Sequence, residues 1–321
     1  VMTLLLREIR RQGQVNVRAF LWRRSLRLWP LYFAVLALEA VLVFGLGAYS
    51  AENQALFAEK LPCYVLYCSN WLETSGEGPF FVSWSLAVEE QFYLAVALLM
   101  LISPGRKALA AVFAVLLLAK VFLVHGSPGV DLSVLPGRVI LSYSEAILLG
   151  SLLACFLDSP WGYRIFMQRT AHALAAPLVF LVFIVCLAVM DLGDKSGIPA
   201  LMFYFICALV VGVAATGKSF PILDGPVLSR IGLYSYGIYL MHMPVLSAMK
   251  RLFDSPAWVF LSTFAVVMPI AWFSYHFFEA PIRRFGRLGA LQQPRRAPGA
   301  GEQRDGSSTA ADEEQSIVRP A

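Results

Sequence analysis

Long apolar runs constrain what this chain can fold into more than any other feature. Eight segments consist mostly of apolar residues: 26–47, 83–103, 107–125, 139–157, 173–191, 198–216, 231–249 and 257–278. Each is close to the about 20 residues that a helix needs to cross a hydrocarbon core of about 30 Å. Because 58% of all residues are hydrophobic and only 15% are charged, a water-soluble fold would need more core than its own surface could enclose. The sequence therefore excludes a soluble globular enzyme and predicts an all-α, multi-pass transmembrane helix bundle with eight spans.

The ends of these segments carry the residues that usually interrupt helices. The predicted breaks are Ser103-Pro104-Gly105, Pro136-Gly137, Asp158-Ser159-Pro160, Gly225-Pro226 and Ser255-Pro256. From Gly286 onward the composition changes to Arg, Gln, Pro, Gly, Ser and Glu, which is typical of a segment too polar to bury a core. We therefore divide the chain into a membrane domain, residues 1–285, and a disordered cytoplasmic tail, residues 286–321.

The placement of charge predicts the orientation in the membrane. Seven arginines lie before or at the start of the first segment: Arg7, Arg10, Arg11, Arg18, Arg23, Arg24 and Arg27. The loop 48–82 instead carries four Glu and one Lys. Because Lys and Arg mark cytoplasmic loops, and an even number of spans puts both ends on one side, we expect cytoplasmic termini and an external loop 48–82. The net charge of +5 is thus assigned to a lipid bilayer, and no nucleic-acid partner is expected.

The five cysteines do not form a disulfide framework. Cys155, Cys186 and Cys207 lie in apolar runs and are interpreted as small buried hydrophobic residues. Cys63 and Cys68 lie in the predicted external loop, where a disulfide and two unpaired thiols are both compatible with the sequence. No metal-ligand spacing is present, so no metal is predicted.

The most informative polar stretch is residues 84–93, where two adjacent carboxylates occur within an apolar segment. Ser85, Glu89 and Tyr93 are four residues apart and share one helical face. Glu89 and Glu90 lie too deep for short side chains to reach the membrane surface. A structural hydrogen-bond clamp between helices is the alternative, but two such costly groups favour a functional site.

Arg24 and Arg27 lie near the predicted cytoplasmic end of the first segment, with Arg23 beside them. Their spacing places Arg27 next to both of the other arginines on a helix. Guanidinium groups bind phosphate in a bidentate manner, so a phosphate site is one interpretation. Taken alone, the stretch is better explained as a positively charged anchor for anionic lipid.

Polar residues recur in three other segments. Ser235, Tyr239 and His242 form a stripe at helical spacing, although a lone histidine in a membrane is more often structural than a base. Arg138 and Glu145 are seven residues apart on one face and could form an ion pair. Glu279, before Pro281, is expected to cap or pair at the cytoplasmic end of the last segment.

Together these stretches resemble the integral-membrane acyltransferase family 3, whose members acylate hydroxyl groups of sugars and related extracytoplasmic molecules. The residues that carry the resemblance are Arg24-x-x-Arg27-x-x-Pro30-x-Tyr32, Trp84-Ser85-Leu-x-Val-Glu89-Glu90-Gln91-Phe-Tyr93, Arg138 with Glu145-x-x-x-x-Gly150, Ser235-Tyr236-x-Ile-Tyr239-Leu-x-His242-x-Pro244, and Glu279-x-Pro281. The second motif is highly specific, all five occur in the family's order, and together they cover roughly residues 1–285.

The resemblance implies a bacterial inner-membrane enzyme that moves an acyl group, most simply acetyl, from cytoplasmic acyl-coenzyme A to a hydroxyl of a saccharide or lipid-linked glycan. Acyl-coenzyme A is then a co-substrate, and no bound cofactor is implied. The implied roles are donor binding by Arg24 and Arg27, supporting catalysis by Glu89, Glu90 and His242, substrate binding by Trp84, Ser85, Tyr93 and Tyr239, and polar structural contacts by Arg138, Glu145 and Glu279.

The family pattern has ten helices, and its first two carry a histidine, held to be the catalytic base, and an arginine. Residues 1–3 match the end of the second helix, so the eight segments correspond to the family's remaining helices. We therefore expect the catalytic histidine to lie upstream of Val1 and this chain alone to be an incomplete enzyme, or an inactive remnant.

A multi-pass transporter or lipid flippase is the alternative function, with the buried Glu and His groups forming a proton relay. Such proteins usually contain repeated halves with broken helices in matching positions. Neither feature is evident in this sequence, which favours the acyltransferase.

Overall fold

A computed structural model describes residues 2–13, 15–72, 78–102, 105–125, 139, 144–170, 175–189, 197–216 and 225–291. Across these residues the chain is helical and contains no β-strand, which confirms the all-α prediction for the described part. The helices, numbered here in chain order, are α1 Met2–Gln12, α2 Val17–Ala40, α3 Ala51–Val65, α4 Ser83–Ile102, α5 Arg106–His125, α6 Glu145–Asp158, α7 Pro160–Arg169, α8 Ala175–Val189, α9 Gly197–Ala215, α10 Pro226–Leu252, α11 Pro256–Ser274 and α12 Ala280–Leu291.

The prediction of eight spans is not confirmed. Among the described residues, three helical stretches are long and apolar enough to cross a membrane: Val17–Gly45, Ser83–Ile102 and Pro256–Phe285. The pair α6 and α7 would add a fourth, but it is bent by 102°. Two further apolar helices, Ala175–Val189 and Pro199–Ala215, are shorter than a span by the same measure. Helices α5 and α10 cover the predicted spans 107–125 and 231–249 in full, although neither is among the stretches that meet the combined criteria of length, apolarity and charge.

The predicted helix breaks are confirmed where proline follows a capping residue. Helices α7, α10 and α11 begin at Pro160, Pro226 and Pro256, because proline at the first helical position needs no amide partner. The Ser159 hydroxyl also accepts a hydrogen bond from the Gly162 amide at 2.8 Å, which caps α7.

The helix ends define two ends of the bundle, which we call the Arg end and the loop end. The Arg end carries Arg24 and Arg27, and the loop end carries residues 48–72. Helix α2 runs from the Arg end to the loop end, α4 returns, and α10 again reaches the loop end, where Arg251 donates a hydrogen bond to the Ala48 carbonyl. Helix α12 therefore lies at the Arg end together with α1.

Asp158 joins three elements at the Arg end. It forms ion pairs with Arg10 of α1 and with Arg106 of α5, the latter at 3.4 Å between Nη1 and Oδ2. The Arg106 guanidinium also donates to the Asp158 carbonyl oxygen at 3.1 Å. One carboxylate at the C-terminus of α6 thus fixes the positions of α1 and α5.

The loop end is closed by a packed segment rather than by an open loop. Tyr32 of α2 is fully buried and donates a hydrogen bond to the Tyr64 carbonyl at 2.8 Å. The Gln91 side-chain amide nitrogen donates to the backbone carbonyl oxygen of Tyr67 and to the side-chain Oδ1 of Asn70, each at 2.8 Å. These contacts hold α3 and the following turn against α2 and α4, and so fix where α4 begins.

Cys63 and Cys68 are free thiols in this segment. The Cys68 amide donates to the Cys63 carbonyl at 2.9 Å, so the two residues share one turn. Burial raises the pKa of the Cys68 thiol to about 12, and the neighbouring Cys63 side chain adds to the shift. Because the thiolate is the reactive form, Cys68 is expected to react slowly with thiol reagents.

Two helices end in a wider, π-helical turn. Val41–Gly45 extends α2, and Tyr275–Glu279 joins α11 to α12. Such turns insert one residue into the helical repeat and occur frequently at functional sites. The chain stays helical through the second turn, and α12 continues to Leu291, past the predicted domain boundary at Gly286. The predicted disordered tail falls mostly on residues 292–321, which lie outside the described residues.

Candidate functional site

A polar cavity of about 490 Å³ lies between α2, α4 and α10. Six of the nine residues that the sequence analysis assigns to donor binding, substrate binding or catalysis line it. Its walls are Arg24, Arg27, Leu28, Ser85, Leu86, Glu89, Tyr93, Ser235, Tyr236 and Tyr239. The four-residue spacing in α4 produces this arrangement, because it turns Ser85, Glu89 and Tyr93 to the same side of the helix.

Glu89, Tyr93 and Arg24 form a connected set within the cavity. The Tyr93 hydroxyl donates a hydrogen bond to Glu89 Oε2 at 2.9 Å. The Arg24 guanidinium carbon lies 3.9 Å from the centre of the Tyr93 ring, which is a close cation–π contact. The Glu89 carboxylate therefore fixes the Tyr93 side chain, and the Tyr93 ring in turn contacts the Arg24 guanidinium.

Arg24 retains hydrogen-bonding capacity that the protein does not use. Its Nε and Nη2 atoms are buried and have no hydrogen-bond partner within the described part of the chain. Buried donors are almost always satisfied, so two unpaired guanidinium nitrogens beside a cavity favour an anionic ligand. Arg27 lines the same cavity. Arg23 does not line it, and its Nη2 atom lies 3.5 Å from Glu8 Oε2.

A second polar group closes the cavity toward the loop end. The Tyr239 hydroxyl donates to the Val82 carbonyl at 2.9 Å and forms a hydrogen bond with the Ser85 hydroxyl. Because Val82 lies just before α4, this triad links the start of α4 to α10. The cavity thus has a cationic end at Arg24 and Arg27 and a hydroxyl end at Ser85 and Tyr239.

Tyr236 is a cavity residue to which the sequence assigns no role of its own. Its hydroxyl donates to the Leu28 carbonyl at 2.6 Å and so joins α10 to α2. The next residue, Gly237, faces α11 at close range: a Cβ atom there would lie 3.3 Å from the Ala271 Cβ. The two residues are adjacent in the sequence, but only the packing of α10 against α2 and α11 shows which residues each one contacts.

Glu90 and Trp84 do not line this cavity. The Trp29 side chain lies close to the Glu90 carboxyl, and the Oε1 atom of Glu90 is buried without a hydrogen-bond partner among the described residues. The Trp84 ring packs near Phe81, with 6.5 Å between ring centres. The two adjacent carboxylates therefore occupy different environments.

His242 lies outside the polar cavity and lines a neighbouring one between α10 and α11. Its Nδ1 atom is hydrogen-bonded to the Tyr239 carbonyl. The two cavities are adjacent, because the Tyr239 and His242 ring centres are only 5.7 Å apart.

Glu145 forms an ion pair with Lys120, with Nζ 3.1 Å from Oε1. The Lys120 side chain is only 7% exposed, and the pair joins α6 to α5. Arg138, the partner suggested by the sequence, lies outside the described residues. Lys120 is the only charged residue within the apolar segment 108–125. The spacing of polar residues in the sequence therefore did not predict this contact.

We expect the change Lys120→Met to lower the free energy of unfolding by about 3 kcal/mol, because it leaves the Glu145 carboxylate without its cation in a largely buried position. The double change Lys120→Met with Glu145→Leu should recover most of this loss. Thermal unfolding in detergent micelles measures both effects, with Lys107→Met, an exposed position at the start of α5, as the control. An equal loss for the control variant would contradict this assignment.

Glu279 is buried inside the π-helical turn. Its Oε1 atom accepts a hydrogen bond from the Ser274 hydroxyl at 3.5 Å. The sequence analysis expected Glu279 either to cap a helix end or to pair with a charge. Because the helix continues beyond Glu279, it does not cap a helix end. Arg27 and Arg283 lie within electrostatic range of it, which fits the alternative of a charge partner.

Glu39 is a buried carboxylate that the sequence analysis missed. It is only 1% exposed and accepts a hydrogen bond from the Tyr49 hydroxyl at 3.1 Å. An acidic residue within an apolar segment is itself a signal, and a search for every such residue would have found it.

Comparison with known proteins agrees with the resemblance seen in the sequence. The family model described as "Acyltransferase domain" matches residues 2–276. The chain therefore belongs to the integral-membrane acyltransferase family 3.

Individual relatives are bacterial proteins named as O-acetyltransferases. The chain is 26% identical to "O-acetyltransferase OatA" of Staphylococcus aureus (strain NCTC 8325 / PS 47) over 318 residues, which cover 89% of this chain and 51% of that protein. It is 28% identical over 253 residues to "Putative peptidoglycan O-acetyltransferase YrhL" of Bacillus subtilis (strain 168), covering 69% of this chain and 39% of that protein. The chain thus spans about half the length of several curated relatives. No solved structure matches it.

Proposed function

We propose that this protein is a bacterial inner-membrane O-acyltransferase that moves an acyl group, most simply acetyl, from acyl-coenzyme A to a hydroxyl group of a saccharide or lipid-linked glycan outside the cytoplasm. One observation carries the proposal. One cavity has, at one end, guanidinium nitrogens that no described residue pairs with and, at the other end, hydroxyl groups. This arrangement suits a phosphate-bearing donor and a reaction with a hydroxyl-bearing acceptor.

The donor's phosphates are assigned to Arg24 and Arg27. Coenzyme A carries several phosphate groups, and guanidinium binds phosphate through paired N–H donors. The thioester would then extend along α4 past Glu89 and Tyr93 toward Ser85 and Tyr239. This direction places the reacting carbonyl near the hydroxyl end of the cavity.

The transfer itself is a displacement at the thioester carbonyl. The acceptor hydroxyl oxygen forms the new C–O bond, the C–S bond breaks, and the proton lost by the hydroxyl is taken up as coenzyme A leaves as a thiol. Such a step needs a group that moves this proton. We assign supporting roles in this proton transfer to Glu89 and His242. Glu89 lines the polar cavity, and His242 lines the neighbouring cavity next to Tyr239. Glu90, which does not line the cavity, is assigned to packing.

The Arg end is proposed to face the cytoplasm, with both described termini on that side. The helix directions support this orientation, since α1 and α12 lie together at the arginine-rich end, and Lys and Arg concentrate on the cytoplasmic side of membrane proteins. The acidic loop 48–82 is then external.

Cysteine labelling is expected to confirm this orientation. In a background without the native cysteines, Glu59→Cys should react with a membrane-impermeant maleimide in intact cells, because Glu59 is exposed at the loop end. Arg284→Cys, exposed at the Arg end, should react only after the cells are opened. Labelling of Arg284→Cys in intact cells would show that the topology is inverted.

The proposed activity is tested by acyl transfer without a membrane gradient. The full-length protein, expressed with any residues encoded upstream of Val1 and purified in detergent, is supplied with [14C]acetyl-coenzyme A and an envelope glycan fraction. It should place label on the glycan, and Arg24→Gln in the same protein should lower the rate at matched expression. A transporter or flippase would give no label here and would instead need a gradient across sealed vesicles. Label transfer that is unaffected by Arg24→Gln would contradict the assignment of this cavity.

A further inference from the structure

The cavity between α10 and α11 has a volume of about 790 Å³, within the range of small-molecule binding sites. It extends from Ile238 at mid-helix to Lys250 and Asp254 at the loop end. It is therefore reached from the side of the bundle opposite to Arg24 and Arg27.

Its walls combine a mainly apolar surface with a few polar groups. Leu246, Phe260 and Phe264 belong to the apolar surface, whereas His242, Lys250, Asp254 and Thr263 supply the polar atoms. The Thr263 hydroxyl oxygen is buried and has no hydrogen-bond partner among the described residues. In a helix a threonine hydroxyl can bond to a carbonyl one turn earlier, as Ser262 beside it does with the Trp258 carbonyl at 2.6 Å. A free hydroxyl at Thr263 is thus available to a ligand.

This cavity lies next to the polar cavity that contains Arg24 and Arg27, which we call the donor cavity. Tyr239 lines the donor cavity and His242 lines this one, with ring centres 5.7 Å apart. The Tyr239 carbonyl is bonded to His242 Nδ1, so the two side chains hold each other in place. A hydroxyl group bound beside His242 would lie one side chain away from the hydroxyl end of the donor cavity.

We propose that this second cavity is the acceptor site, and that its ligand is a glycan carried on an apolar chain. The proposal rests on the acyltransferase function argued above, and it identifies where the acceptor binds and which class of molecule it is. The sugar lies between His242 and Lys250, which are eight residues apart, or about 12 Å along a helix.

The apolar chain follows from the character of the rim. Phe260 is 70% exposed and Phe264 is 50% exposed, so the cavity opens sideways onto a surface that faces hydrocarbon in a membrane. A bare saccharide would leave most of these walls without an apolar partner, and a plain hydrocarbon would offer no hydrogen bond to the Thr263 hydroxyl or to the other polar groups of the cavity. A chain-bearing sugar satisfies both sets.

Binding can be measured without any acyl transfer. We would incubate the protein in lipid nanodiscs with octyl glucoside that carries a photoreactive diazirine in its chain, and locate the cross-link by mass spectrometry. The expected cross-links fall on α10 and α11 around Leu246 and Phe264. Unlabelled octyl glucoside should compete at least tenfold better than either octanol or glucose.

Two variants and one control test the position of the site. Leu246→Trp, which fills the cavity, should reduce cross-linking at least tenfold, whereas Leu233→Trp, exposed on the same helix outside the cavity, should leave it unchanged. If Leu246→Trp does not yield folded protein, Thr263→Val decides, because it removes only the free hydroxyl. The loss of one hydrogen bond should lower binding about threefold to tenfold.

Three results would overturn the proposal: equal competition by octanol, equal competition by glucose, or cross-linking that neither Leu246→Trp nor Thr263→Val reduces. The first would make the cavity a lipid crevice, and the second would make it a site for a free saccharide. The failure of the proposed function has a different signature, namely specific cross-linking of the glucoside together with no transfer of label from acetyl-coenzyme A.

Discussion

Replacing Arg24 by Lys is expected to raise the KM for the acyl donor about tenfold to a hundredfold, and to leave the KM for the acceptor within about twofold. The Nε and Nη2 atoms of Arg24 are buried without hydrogen-bond partners in the described part of the chain. Lysine keeps the charge but cannot present two parallel N–H donors to a phosphate. It also loses the flat contact with the Tyr93 ring, which lies 3.9 Å from the Arg24 guanidinium carbon.

Arg23→Lys is the matched control for this variant. Arg23 is the adjacent residue on α2, but it pairs with Glu8 and does not line the cavity. Its replacement should change neither KM appreciably. If Arg24→Lys instead raised the acceptor KM and spared the donor KM, the phosphate assignment would be wrong and the cationic end of the cavity would belong to the acceptor.

The change Glu89→Gln should lower kcat about a hundredfold, and Glu90→Gln should lower it less than about fivefold, with both proteins expressed at the same level. Glu89 lines the cavity and accepts a hydrogen bond from the Tyr93 hydroxyl at 2.9 Å. Glu90 does not line the cavity, although both carboxylates interact electrostatically with Arg24. A neutral amide at Glu89 removes both the charge and the strong acceptor.

Tyr93→Phe separates the two roles of Glu89. If the carboxylate acts mainly by holding Tyr93 against Arg24, removing the Tyr93 hydroxyl should raise the donor KM and change kcat little. If the carboxylate takes part in proton transfer, kcat should fall in Glu89→Gln and should remain mostly intact in Tyr93→Phe. Equal losses of kcat in Glu89→Gln and Glu90→Gln would show that orientation toward the cavity is not what distinguishes them.

Local spacing predicted the parts of the site that lie on one helix. The four-residue repeat of Ser85, Glu89 and Tyr93 sufficed to put them on one face, and the capped prolines sufficed to place three helix starts. The contact between Glu89 and Tyr93 is the direct result of that repeat. These features depend only on the geometry of an isolated helix.

Features that depend on how helices pair were not predictable in the same way. The sequence placed Arg23 and Arg24 together, but only packing against α1 shows that Arg23 meets Glu8 while Arg24 meets the cavity. It placed Tyr239 and His242 in one stripe, whereas each lines a different cavity. The count of eight full-length spans is not confirmed, since among the described residues three helical stretches meet the length and apolarity of a span, or four if the bent pair α6 and α7 counts as one.

The π-helical turn at Tyr275–Glu279 makes the orientation of Glu279 depend on chain length and not only on residue type. The extra residue in that turn rotates everything after it by about 100° relative to a regular α-helix. Deleting one residue from the turn would therefore keep every side chain of α12 and yet swing Glu279 out of its contact with Ser274 and away from Gly237. At this joint a single-codon deletion should be more harmful than most point substitutions, and related sequences should tolerate changes of residue more readily than changes of length.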